Sequence, residues 1–181
     1  SALDSPVPAP ATEPPLAAPR QAAFEAYPQR RELDTRYNDL DATGRVGEGA
    51  LMRGAETGRS ALLQAAFAAL AGEDGRGSIG LLVARVDLHL HAWRSLPPRW
   101  RLGAGVTHMG GSSVVVRVGF FDDQPQAAAC ADCVLVFVDR DRGQPLAMPE
   151  AMRAALDAQR VHAGHGSGSG HGPRLDSPPL P

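Results

Sequence analysis

The order of its patterns constrains this chain most. One long helix-like run is followed by four strand-like runs with short turns between most of them. In residues 49–71, Leu51, Ala55, Leu62, Ala66, Ala69 and Leu70 recur at roughly helical spacing. Gly54 and Gly58 weaken this helix by about 1 kcal/mol each but permit close backbone packing. In residues 79–91, Val86, Leu88 and Leu90 alternate with Arg85, Asp87, His89 and His91, as in a half-buried strand. Further strands are expected at 100–109, 114–121 and 127–138, after a break at Pro97-Pro98. A short helix is expected at 149–160, with Pro149 in its first turn. A strand-like run at 27–37 precedes the long helix. Strands joined by short turns favour an antiparallel sheet, and a single helix can cover one of its faces. The expected class is α+β: a curved antiparallel sheet wrapped around one long central helix.

The segment between the first strand and the helix carries the chemistry. It reads Tyr37-Asn38-Asp39-Leu40-Asp41-Ala42-Thr43-Gly44-Arg45-Val46. A carboxylate here stands beside a helix N-terminus, where unpaired N–H groups and a partial positive charge favour anions. An acid next to carbonyl-polarising donors is what ester or thioester hydrolysis requires.

Composition excludes several alternatives. All 18 basic residues are Arg, so no lysine is available for a Schiff base or a P-loop. A net charge of −2 predicts no bulk attraction to nucleic acid or to a membrane. No apolar run approaches the roughly 18 residues that span a bilayer. No signal-peptide pattern opens the chain, and two cysteines give no disulfide framework, so a cytoplasmic location is expected. Residues 1–23 read as a Pro/Ala-rich tail, 24–160 as one domain, and 161–181 as a Gly/Ser/Pro tail.

These motifs resemble the hotdog-fold, 4-hydroxybenzoyl-CoA thioesterase-like acyl-CoA thioesterases. That family's pattern reads Y-x-D-x-D-x-x-G-H-V-N-N-A-x-Y-L-x-Y-F-E-x-A-R. Tyr37, Asp39, Asp41, Gly44, Val46, Glu56 and Arg59 fall in step with it. Gly110-Gly111-Ser112-Ser113 resembles its G-x-S-S turn, and Val134 to Asp139 its closing strand. The resemblance implies hydrolysis of an acyl thioester of coenzyme A or acyl-carrier protein. Asp41 would be the nucleophile or general base, and the amides of Glu48 and Gly49 would polarise the carbonyl. Arg45, Leu51, Gly111, Ser112 and Ser113 would contact substrate, and Arg140 and Arg142 could meet nucleotide phosphates. It implies a homodimer or dimer of dimers, with no metal and no cofactor beyond the CoA of the substrate. Four positions depart from the pattern: Arg45 replaces His, Gly47-Glu48 replaces Asn-Asn, and Leu51 replaces an aromatic. Arg45 could hold Asp41 ionised, bind a substrate carboxylate, or silence Asp41 in an ion pair. The alternative function is a non-catalytic hotdog protein that binds acyl thioesters or acts in assembly.

Other motifs read as structural. Asp39 is expected to bond turn amides. A calcium loop starting at Asp39 would need a glutamate where Ala50 stands. Glu56 and Arg59, three apart, are expected to pair on the helix surface. Cys130 and Cys133 lie three apart in a strand, on opposite faces, and read as buried thiols. His89 and His91 share a face with Arg85 and Asp87, as a polar dimer face or cleft wall. His162, His165 and His171 fall in the solvated tail.

Overall fold

The computed structural model describes residues 22–68, 79–92 and 99–162. The expectations for 1–21, 69–78, 93–98 and 163–181 lie outside the described residues. They cover most of both tails, the end of the long helix, the Pro97-Pro98 break, and His165 and His171.

The element order is β1 (Gln29–Asp34), α1 (Glu48–Ala68), β2 (Ile79–Leu90), β3 (Arg99–Met109), β4 (Ser113–Phe121), β5 (Ala129–Asp139), β6 (Gln144–Pro145) and α2 (Glu150–Asp157). The sheet runs β1-β3-β4-β5-β2, and all its pairings are antiparallel. The short β6, not foreseen, pairs with the end of β5. The first strand is shorter than expected: after Asp34 the chain leaves the sheet and closes a 3-10 turn at Tyr37–Asp39. Pro149 sits at the N-cap of α2 rather than in its first turn.

Alternation along the strands decides which face meets α1. Val114, Val116, Val118 and Phe120 of β4 join Ala131, Cys133, Leu135 and Phe137 of β5 in the core. Leu51, Ala55, Leu62 and Ala66 of α1 pack into the same cluster. The 21-residue helix thus lies across the concave face of a curled sheet. Its two glycines make that approach possible. A β-carbon at Gly54 would stand 2.5 Å from Cε1 of Phe120, and one at Gly58 2.8 Å from Cγ1 of Val118. The cost in helix propensity is offset by burying a flat helix face directly on the strands.

The outer face carries a second, smaller cluster of Tyr27, Phe121 and Ala127, with Ala22, Phe24 and Val161 against it. Val161 N–H donates to Val106 and His162 N–H to Ala26, so pairing runs two residues past position 160. Beside this cluster, Arg117 donates twice to Asp132, at 2.7 Å each. Asp132 is completely buried. Sequence patterning missed this pair, because the 127–138 run looks almost wholly apolar. Cys130 and Cys133 are both buried, unpaired thiols. Cys130 faces outward against His91, with Nε2 to Sγ 3.4 Å, and burial pushes its thiol up to about 11. Cys133 faces the core.

Candidate active site

Residues 40–46 form a small closed turn between β1 and α1. Leu40 bridges to Val46, Asp41 N–H donates to the Arg45 carbonyl at 2.7 Å, and Gly44 takes a φ of 75°. Gly47 N–H donates to the Asp39 carbonyl at 2.9 Å, which ties the turn to the helix start. The Ala50 and Leu51 N–H groups both donate to the Gly47 carbonyl. Those of Glu48 and Gly49 find no acceptor among the described residues. They are the unpaired donors expected at a helix N-terminus.

Asp41 packs next to Gly47, the residue that precedes them. Its β-carbon lies 3.9 Å from where a β-carbon of Gly47 would be. Its Oδ1 accepts from Thr43 Oγ1 at 2.6 Å, Thr43 N at 2.8 Å and Arg45 N at 3.1 Å. The Thr43 hydroxyl, followed by the Arg45 amide, holds this exposed carboxyl below its ordinary range. Arg45 therefore acts on Asp41 through its backbone as well as its charge.

The other acid of the motif faces a cavity. Desolvation pushes Asp39 up, but the Arg36 amide at 2.8 Å and the Arg53 guanidinium at 2.7 Å outweigh it and hold the carboxyl low. The cavity beside Asp39 measures about 190 Å³. It is walled by Leu33, Leu51, Trp100 and Phe120, with Arg36 and Arg53 at its charged side. Asp41 lies outside it. Leu51, expected at the substrate, is buried and forms part of this wall. Arg53 was not singled out from sequence, because nothing in its spacing distinguishes it from a solvated helix residue.

The Gly111–Ser113 turn is not brought to the helix start within one chain. It joins the far end of β3 to β4, about 30 Å of strand from Trp100 at a rise of ~3.4 Å per residue. Its carbonyls tie it to β5 and to the segment before α2: Ser112 accepts from Phe137 and Gly111 from Met148, at 2.8 Å each. Arg140 and Arg142, in the turn after β5, are exposed at that same end of the sheet. Glu56 and Arg59 do not form their expected ion pair. Arg59 instead turns toward Cys133. His89 Nε2 is buried without a hydrogen bond, 3.8 Å from Asp132. Among the described residues no group of three or more His, Cys, Asp or Glu is placed to hold a metal ion, and no helix is long and apolar enough to cross a membrane.

A single helix on a curled antiparallel sheet, with an acid turn at the helix start, is an architecture with many solved counterparts. The PA5185 protein of Pseudomonas aeruginosa is 26% identical, with a TM-score of 0.66, and the match covers 80% of this chain and 100% of that one. A thioesterase from Thermus thermophilus, solved with coenzyme A and zinc, is 25% identical with a TM-score of 0.59, covering 72% of this chain and 98% of that one. This is a hotdog fold. A 1,4-dihydroxy-2-naphthoyl-CoA thioesterase from Synechocystis shares the hotdog fold at 14% identity, with a TM-score of 0.59 over 71% of this chain and 94% of that one. The resemblance drawn from the motifs therefore holds in three dimensions: this hotdog protein has thioesterases among its structural neighbours. No family model matches the sequence, and no curated protein does.

Proposed function

We propose that this hotdog protein hydrolyses an acyl thioester of coenzyme A or of acyl-carrier protein. One observation carries the reading: the unpaired Glu48 and Gly49 amides begin a 21-residue helix, and Asp41 packs next to Gly47, the residue before them. Asp41 attacks the thioester carbonyl or activates a water. The two amides receive the charge that develops on oxygen, an effect of roughly 3–4 kcal/mol per donor in comparable sites. The low pKa of Asp41 keeps it ionised for either role. The chemistry needs no metal or redox cofactor; CoA enters with the substrate. The protein acts as a homodimer or dimer of dimers, in which Gly111, Ser112 and Ser113 of one copy approach the helix start of another. The exposed Leu82 and Val83 on edge strand β2 support such pairing. Two unpaired thiols support a cytoplasmic setting. Asp41→Asn is expected to abolish turnover of an acyl-CoA panel while the assembly persists. Unchanged rates would remove Asp41 from the mechanism.

A second reading is favoured by one detail: all three hydrogen bonds to Asp41 fall on a single oxygen from its own turn. A carboxylate so stabilised is a weaker nucleophile, and the protein would then bind acyl thioesters without cleaving them. Tight binding by the wild type with no thiol released separates this reading from the first.

A further inference from the structure

The cavity at Asp39 has an apolar wall and a charged side. Its apolar wall is made by Leu33 at the end of β1, Leu51 on α1, Trp100 on β3 and Phe120 on β4. It begins one helical step past the unpaired amides, since Ala50 and Leu51 line it and Glu48 and Gly49 precede them. Arg53 stands between the two. It is fixed by Asp39 at 2.7 Å, and its Nη1 lies 3.6 Å from where a Gly49 β-carbon would be.

The floor is rigid. Phe120 is 1% exposed and meets Trp100 edge-on, with ring centroids 6.1 Å apart. Its ring occupies the notch left by the missing side chain of Gly54. Packing thus sets the floor of a cavity of about 190 Å³, whose charged side opens to solvent. An apolar cavity of about 150 Å³ suffices for a benzene ring.

We propose that this cavity receives the acyl group, and that Phe120, seated against Gly54, limits it to one aromatic ring or a short chain of equal volume. The inference rests on the thioester reading but does not require turnover. An acyl tip against Phe120 leaves its carbonyl at the charged side, between Arg53 and the helix amides. Arg53 there acts as a positioning residue. A long chain meets the closed floor and stays in water.

The test uses non-hydrolysable thioethers of coenzyme A, measured by calorimetry on the full chain. Wild type is expected to bind S-benzyl-CoA at least tenfold more tightly than S-decyl-CoA. Ala50→Leu, a good helix former pointing into the cavity wall, should weaken S-benzyl-CoA at least tenfold and leave CoA binding unchanged. Phe120→Leu should narrow the benzyl-to-decyl ratio, with circular dichroism confirming the fold. A ratio indifferent to both variants, or no binding of either thioether, overturns the proposal. Turnover of acyl-CoA with an indifferent ratio removes this pocket and spares the hydrolase reading. A sensitive ratio without any turnover does the reverse.

Discussion

Asp39 and Arg53 are joined at 2.7 Å across the gap between the acid turn and the second turn of the helix. The Arg53 side chain is 61% exposed and that of Asp39 16%, so the pair sits at the border of solvent. It fixes the geometry of the cavity's charged side more than it stabilises the fold, because ion pairs this exposed contribute about 0–1 kcal/mol. Arg53→Ala is therefore expected to shift the thermal midpoint by no more than a few degrees. Its effect should appear in KM for an acyl-CoA, which rises severalfold. A large loss of stability with unchanged KM would reverse this assignment.

Acid sensitivity follows from the depressed carboxyls. A group whose pKa is lower folded than unfolded stabilises the fold above its unfolded value, near 3.9 for Asp. That contribution is lost as pH falls through the folded value. Asp39 and Asp41 are both lowered, so their contribution is fully present and constant between pH 5 and 8 and is lost only on acidification below the ordinary Asp range. Thr43→Val removes the 2.6 Å hydroxyl bond to Asp41. Carboxyl NMR titration should then show the Asp41 midpoint moving up toward its ordinary value. If turnover depends on ionised Asp41, the acid limb of kcat/KM moves up with it.

The buried Arg117–Asp132 pair makes a sharper stability prediction. Asp132 is fully buried and the Arg117 side chain is 14% exposed. Removing one partner strands the other charge, which costs about 3–5 kcal/mol. Asp132→Ala should lose that amount in urea unfolding. The double replacement Arg117→Met with Asp132→Leu should recover most of it, since no charge is then left unpaired. Equal losses in the single and double variants would show that packing, and not charge, is at stake.

Edge strand β2 predicts how copies meet. Its outer side has no neighbour in the sheet among the described residues, while Leu82 and Val83 are 59% and 46% exposed. An open apolar edge of this kind is a pairing surface. Leu82→Lys together with Val83→Glu should reduce the mass measured by light scattering to that of one chain. A wild-type mass equal to one chain would refute pairing through this edge.

The sequence by itself determined the elements and their order. Helical spacing in α1, alternation at the end of β2 and the apolar runs bounded by turns from β3 to β5 are local consequences of which residues must leave water, and they carry the antiparallel sheet and its covering helix with them. The acid turn was legible for the same reason: Asp41, Thr43 and Gly44 satisfy one another within a few residues. Only the tertiary structure decided which acid borders a cavity. Asp39 and Asp41 are indistinguishable in spacing, yet Asp39 meets Arg53, fourteen residues on, while Asp41 meets its own turn. The Arg117–Asp132 pair and the seat of Phe120 on Gly54 were equally hidden, because strands and helix distant in sequence create them. Local patterns report what a residue does with its neighbours in the chain. The site is made by side chains that become neighbours only when the sheet curls.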